Sequence, residues 1–125
     1  MIPATTKRVA RAQNIPYTED MLFAPEMNIR LGSWYIGRLF GKFDAQVPYA
    51  AASYNAGPRA MMDWMDKNKN VEADVFVELI SYNQARNYAR RVTETYARYE
   101  RLYGKREYKQ PLKVDFSYLR NKINY

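Results

Sequence analysis

Tyr54 and Asn55 are the residues whose types and placement point most clearly to chemistry. They stand side by side at the predicted end of a helix, and Gly57 and Pro58 follow them. This pattern places a phenol and a carboxamide at a corner between two helices, where both groups can hydrogen-bond to a sugar or a carboxylate. On physical grounds alone, an Asn that ends a helix before a tight turn is the favoured interpretation over a binding site.

The composition restricts the acid–base chemistry that is open to this chain. The 125 residues include no Cys and no His, which excludes disulfides, zinc fingers, thiol nucleophiles and Ser-His-Asp triads. Any acid or base must then be Asp, Glu, Lys or Tyr, and we expect no metal or organic cofactor. Glu78 has apolar neighbours along the chain and is one candidate acid. A structural carboxylate that is hydrogen-bonded to Tyr or Arg is the favoured interpretation of this residue.

Helical periodicity runs through almost the whole chain and predicts an all-α fold of five or six helices. Thr5 or Thr6 is expected to cap the first helix, and Gly57 and Gly104 are expected to stop two later ones. The predicted helices cover about residues 5–14, 24–43, 47–55, 58–65, 74–80 and 82–103.

Two of these helices carry distinctive apolar patterns. The helix over 24–43 has two apolar stripes, so we expect it to be buried and central. The helix over 82–103 repeats Tyr and Ala at three- and four-residue steps, and we assign most of that stripe to the core. We allow Tyr88 and Tyr99 to face a cleft, because aromatic rings can stack on sugars. Residues 111–125 alternate loosely and predict a short strand or an extended arm.

Positive charge is concentrated at the C-terminal end. The net charge is +7, and residues 101–125 contribute +5 of it, with seven basic and two acidic side chains. We therefore divide the chain into a helical domain, 1–104, and a basic C-terminal extension, 105–125. A solvated tail is the favoured interpretation of the extension; attraction to nucleic acid, anionic lipid or cell-wall polymer is the alternative. We expect no transmembrane segment, because no apolar run approaches about 20 residues, and residues 1–15 lack the apolar core of a signal peptide.

Four segments, in the same order along the chain, resemble the motifs of the soluble lytic transglycosylases, lysozyme-like enzymes that cleave the glycan strands of peptidoglycan. Three residues depart from these motifs: Ser53 stands where the family commonly has Ala, Ala24 where it has Asp, and Ser81 where it has Pro. The four segments are 1–5 (Met-Ile-Pro-Ala-Thr), 22–32 (with Leu-Phe-Ala-Pro-Glu and Leu-Gly), 51–57 (with Ser-Tyr-Asn-Ala-Gly) and 76–88 (with Phe-Val-Glu-Leu-Ile and Arg-Asn-Tyr).

The resemblance implies a mechanism that lacks one essential group here. In this family a single Glu, in a Glu-Ser pair on an earlier helix, protonates the glycosidic oxygen. It then deprotonates the C6 hydroxyl of muramic acid, which attacks C1 and leaves a 1,6-anhydro end without consuming water, unlike the two-carboxylate hydrolytic routes. That Glu would lie upstream of Met1. We therefore expect a lysozyme-like helical domain fragment that lacks the N-terminal catalytic helix and is inactive alone, with no catalytic residue in this chain.

The resemblance also implies which residues bind substrate. Tyr54 and Asn55 fall on positions that face the catalytic Glu and the N-acetyl sugar. Glu78 and Tyr88 fall on positions that line the same cleft, and Ile2 stands where a Met commonly touches the sugar. The implied partner is a peptidoglycan glycan strand, and the implied location is the cell envelope, either periplasmic or associated with the outer membrane.

Two other functions compete with a transglycosylase fragment. The first is a non-catalytic glycan-binding remnant, complete as written. The second is a basic module that binds nucleic acid through its tail. We expect no nucleic-acid partner, because nothing in the chain resembles a nucleic-acid motif and Tyr-rich helices match known docking elements poorly.

Overall fold

A computed structural model describes residues 1–113, and within them the all-α prediction is confirmed. None of the helices in this range is long and apolar enough to cross a membrane. The helices are α1 (Pro3–Ala12), α2 (Pro25–Lys42), α3 (Val47–Ala56), α4 (Pro58–Lys67), α5 (Ala73–Leu79) and α6 (Asn83–Leu102), with a short 3-10 helix (Glu19–Leu22) between α1 and α2.

Proline sets the start of the first four helices. Each of α1 to α4 has Pro in its first two positions, where the missing N–H costs nothing and the ring pre-sets a helical φ. The predicted cap at Thr5 or Thr6 is wrong, because α1 begins earlier, at Pro3; the Thr6 hydroxyl instead donates to the Ile2 carbonyl at 3.0 Å. The predicted stop at Gly57 is confirmed, with φ of 91° in the region that favours glycine.

The central helix is α3, and the expectation that α2 would be central is wrong. Every residue of α3 from Val47 to Ser53 is buried, and α3 packs against α2, α4 and α6. The small side chains of Ala50–Ala52 allow these neighbours to approach closely. The second apolar stripe of α2 is buried only in part: Phe43 is fully buried, Ile36 and Phe40 are half-buried, and Ile29 is 68% exposed.

The tyrosine stripe of α6 also differs from the expectation. The fully buried residues of this helix are Ala85 and Ala89, whereas Tyr99 and Tyr103 are exposed. The alanines let α6 lie directly on α3, so the longer tyrosine side chains are left at the margins of the contact. The assignment of most of this stripe to the core is therefore confirmed for Ala85 and Ala89, holds in part for Tyr88 and Val92, and is wrong for Tyr82 and Tyr103.

The chain turns after α6 and runs back along the domain. Tyr108 packs edge-on against Tyr96 of α6, with ring centroids 5.1 Å apart, and the Leu112 carbonyl accepts a hydrogen bond of 2.8 Å from the Ala73 amide of α5. These contacts tie residues beyond the predicted boundary at 104 to the helices, and the boundary itself stays a prediction. The predicted strand or arm over 111–125 lies almost entirely outside the described residues.

A hydrogen bond to Ser81 explains why this residue departs from the family motif. Its hydroxyl accepts a hydrogen bond of 2.9 Å from the indole Nε1 of the buried Trp64. The Trp64 ring also meets Tyr82 edge-on, with centroids 5.1 Å apart. A proline at position 81 would leave that indole N–H without this acceptor, so the serine contributes to joining α4 to the start of α6.

Replacing Ser53 with Ala should stabilise the fold. Ser53 is completely buried, and its hydroxyl has no hydrogen-bond partner among the described residues. Since an unsatisfied buried hydroxyl is costly, Ser53→Ala should raise the free energy of unfolding by about 1 kcal/mol in urea denaturation. Thr6→Val is the matched control, because the buried Thr6 hydroxyl does have a hydrogen-bond partner. This variant should lower the free energy of unfolding by a similar amount. A loss of stability in Ser53→Ala would contradict this account.

Deprotonation of Tyr49 should lower the stability of the fold at alkaline pH. Burial, reinforced by the negative charge of Asp74, raises the pKa of Tyr49 from 10.0 to about 12. The folded protein therefore holds this proton more tightly than the unfolded chain, so the contribution is complete below about pH 10 and is lost as the pH rises towards 12. The stability gap between the wild-type chain and Tyr49→Phe should shrink by about 1.4 kcal/mol between pH 9 and pH 11. A constant gap would show that Tyr49 does not titrate in this way.

Candidate functional site

An open apolar groove runs between α2 and α6, with α3 as its floor. It has two adjoining compartments of about 560 Å³ and 510 Å³, which share Ser33, Ile36, Ala51 and Val92. The first compartment is also lined by Pro25, Asn28, Ile29, Gly32, Tyr54 and Tyr88, and the second by Gly37, Phe40, Gly41, Ala45, Val47, Ala50 and Tyr96. Clefts of this size and character are typical ligand sites.

Tyr54 is held in the groove by two other tyrosines. Its ring stacks on Tyr88 of α6, with centroids 6.4 Å apart and planes 13° apart. On the α2 side it meets Tyr35 at 5.5 Å. The Tyr54 hydroxyl lies 3.2 Å from the point that a Cβ on Gly32 would occupy. The absent side chain at Gly32 thus leaves the room in which the hydroxyl sits.

The electrostatics of the groove favour a neutral phenol. Burial raises the pKa of Tyr54, and the neighbouring Tyr88 raises it further. Tyr54 therefore keeps its proton at neutral pH and can both donate and accept a hydrogen bond. No charged residue of the described chain lines either compartment, so the groove suits a neutral ligand with an apolar face and hydroxyl or amide groups.

The structure brings Tyr54 and Tyr88 together but does not bring Asn55 or Ile2 with them. Asn55 is exposed in the last turn of α3 and does not line the groove. Ile2 is exposed at the start of α1, where its carbonyl accepts the amides of Thr5 and Thr6. The implied contacts of Asn55 and Ile2 with a sugar stay predictions.

Glu78 lies on a different face from the groove. Its carboxylate is more than half exposed and pairs with Arg90, whose Nε donates to Oε1 at 3.1 Å. Arg90 is two residues beyond Tyr88, which corresponds to about 200° around α6. This explains why Glu78 and Tyr88 do not line one surface. The favoured interpretation of Glu78, a structural carboxylate bonded to an arginine, agrees with this geometry, although the group is not buried.

Most of the groove-lining residues were not singled out from the sequence. Ile29, Ile36 and Phe40 belong to the second apolar stripe of α2, which also includes the buried Phe43 and was expected to be buried rather than to form a binding surface. Asn28 is fixed near the mouth of the groove by a hydrogen bond of 2.9 Å from Nδ2 to the Leu22 carbonyl. The sequence signal that could have indicated an open groove is the presence of two apolar faces on α2. If α3 covers only one of these faces, the other is left to line a groove.

The chain is similar to lytic transglycosylases in sequence and in fold. The family model described as "Transglycosylase SLT domain" matches residues 1–77. The X-ray structure of an inactive mutant of lytic transglycosylase Slt from Pseudomonas aeruginosa superimposes with a TM-score of 0.73 and 30% sequence identity, covering 93% of this chain and 18% of that one.

The curated relatives of the chain include soluble lytic murein transglycosylases. A soluble lytic murein transglycosylase of Salmonella typhimurium is 29% identical over 110 residues, which is 86% of this chain and 17% of the relative. A putative soluble lytic murein transglycosylase of Haemophilus influenzae is 33% identical over 94 residues, or 74% of this chain and 16% of the relative. This chain therefore spans about a sixth of the length of the curated relatives that it matches.

Two glycines of α2 allow a direct test of how the groove is built. A Cβ on Gly32 would press on the Tyr54 hydroxyl, whereas one on Gly37 would meet nothing within 4 Å. Gly37→Ala should therefore raise the free energy of unfolding by about 0.5–1 kcal/mol, the usual gain at a helix interior. Gly32→Ala should gain less or lose stability, because Tyr54 must shift. Equal gains in thermal or urea denaturation would contradict the close approach of Gly32 and Tyr54.

Proposed function

The chain belongs to the transglycosylase SLT domain family, and on that premise we propose that it supplies the glycan-binding side of a domain that acts on peptidoglycan strands by lytic transglycosylation. The observation that carries the proposal is the position of Tyr54. This residue of the Ser-Tyr-Asn-Ala-Gly segment presents its hydroxyl in an uncharged groove beside Tyr88.

The chemistry of the groove supports a sugar ligand. Sugar rings have apolar faces that pack on aliphatic and aromatic side chains, while their hydroxyl and acetamido groups need hydrogen-bond partners. Ile29, Ile36 and Val92 supply the first kind of surface, and the Tyr54 phenol supplies the second. The two compartments adjoin, so a strand longer than a single sugar can follow the groove.

We propose that residues 1–113 bind the glycan without cleaving it. General acid catalysis needs a carboxylic acid within hydrogen-bond reach of the glycosidic oxygen. No Asp or Glu of the described residues lines the groove, and Glu78 pairs with Arg90 on another face. The general acid that the family resemblance implies would then come from a helix outside residues 1–113. A non-catalytic glycan-binding protein is the second candidate function, and this same lack of a carboxylate favours it.

The proposed substrate also sets a proposed location. A domain that binds peptidoglycan strands must meet them in the bacterial cell envelope. Because the chain spans a small part of its relatives, the activity and partners of the whole protein are part of this proposal.

Binding to purified peptidoglycan sacculi tests the proposed function. We expect the chain to sediment with sacculi and to release no 1,6-anhydro products. Tyr54→Phe keeps the ring stack and removes one hydrogen-bonding group, so its apparent Kd should rise about fivefold. Tyr82→Phe is the matched control, because Tyr82 is exposed beside Trp64 and away from the groove; its Kd should not change.

Three results would count against this proposal. Lack of sedimentation with sacculi would remove the proposed ligand. An equal loss in Tyr54→Phe and Tyr82→Phe would show that binding does not use the groove. Release of 1,6-anhydro products by the wild-type chain would show that residues of this chain cleave the strand.

A further inference from the structure

The last turn of α6 presents apolar side chains to solvent. Tyr99, Leu102 and Tyr103 are 60%, 69% and 75% exposed, and the rings of Tyr99 and Tyr103 lie 5.4 Å apart. None of the three lines either compartment of the groove. These three residues form a separate protruding patch, which we call the α6 tip.

Unpaired cations lie at and directly after the α6 tip. Arg101 lies between Tyr99 and Leu102, Lys105 follows Tyr103 by two residues, and Lys109 lies on the segment that runs back along the domain. All three are exposed, and none forms an ion pair with another described residue. Glu100 is already paired with Arg106, and the exposed Glu107 is outnumbered by these three cations. The tip therefore has a positive field that the fold does not neutralise.

A tight turn fixes this arrangement. Gly104 passes so close to α6 that a Cβ there would lie 2.8 Å from the Glu100 carbonyl oxygen. Lys105 follows with φ of 52°, and the Arg106 amide donates to the Glu100 carbonyl at 3.2 Å. The ion pair of Glu100 and Arg106 closes the same turn. Arg106 is therefore used within the turn, whereas Lys105 is exposed and forms no ion pair with another described residue.

We propose that the α6 tip is a docking surface for an anionic lipid bilayer. Leu and Tyr side chains that protrude beside Lys and Arg can enter the headgroup region while the cations bind lipid phosphates. A soluble polyanion such as nucleic acid or polyphosphate would be held by the cations but would leave Leu102 without a role. The exposed apolar residues therefore favour the bilayer. This inference does not depend on the proposed glycan function.

Docking at the tip would place the groove close to the bilayer. Tyr96, which lines the second compartment, precedes Tyr103 by seven residues, or about 10 Å along the helix axis. A chain held at its α6 tip would therefore hold the second compartment near the membrane surface.

Sedimentation with vesicles tests this surface. The intact chain should bind vesicles of equal parts phosphatidylglycerol and phosphatidylcholine, and bind pure phosphatidylcholine far more weakly. Arg101→Gln combined with Lys105→Gln should weaken binding about 25-fold, from about fivefold for each cation. Leu102→Asn should weaken it about tenfold through lost apolar insertion, and added salt should barely change that factor.

A matched control carries the same change of charge elsewhere. Arg59→Gln combined with Lys67→Gln alters two exposed cations of α4 that form no ion pair with another described residue. Lys67 is three residues from Trp64, which contacts Tyr82 at the opposite end of the roughly 30 Å long α6. This variant should bind the anionic vesicles nearly as well as the wild-type chain. An equal loss in this variant would overturn the proposal, since binding would then follow net charge alone. Full binding by Leu102→Asn, with displacement from vesicles by polyphosphate, would identify a polyanion site instead.

Discussion

The close packing of α3 against its neighbours is the constraint on which the rest of the structure depends. Ala50–Ala52 and the buried alanines of α6 have almost no side chain to separate the helix backbones, and the contact between α3 and α6 is the most extensive among the described helices. Close-packed interiors respond even to one added methylene group. A larger residue at this contact would push α6 away and move Tyr88 with it.

The groove follows from the same constraint. Where α6 meets α3 through Ala85 and Ala89, the larger side chains on the flanks of α2 and α6 do not close over the space between these two helices. Ile29 and Ile36 remain on one wall and Val92 and Tyr96 on the other. Tyr54, at the end of α3, is one of the polar groups at this opening, together with Asn28 and Ser33. The position of the Tyr54 hydroxyl requires the absent side chain of Gly32, and the orientation of its ring is held by stacking on Tyr88. Fold and site therefore rest on the same helix.

The sequence predicted the elements more successfully than their burial. Periodicity together with Pro25, Pro58 and Gly57 located the helices, because these signals act through the local backbone. The burial of Ile29 on α2 and of Tyr82 and Tyr103 at the ends of the α6 stripe was predicted wrongly, because a stripe of apolar residues does not reveal whether another element covers it. Tyr54 and Tyr88 were identified through motif resemblance. The role of Gly32 depends on the approach of two helices that are distant in sequence, which spacing alone does not encode.

The most direct measurement is the map of chemical-shift changes when the isotopically labelled chain is titrated with an oligosaccharide of alternating N-acetylglucosamine and N-acetylmuramic acid. If the groove is the glycan site, the changes should cluster at Gly32, Ser33, Tyr54 and Tyr88, while Glu78 and Arg90 stay unchanged. Changes centred on Glu78 and Arg90, or no changes at saturating oligosaccharide, would contradict the assignment of the groove as the glycan-binding site.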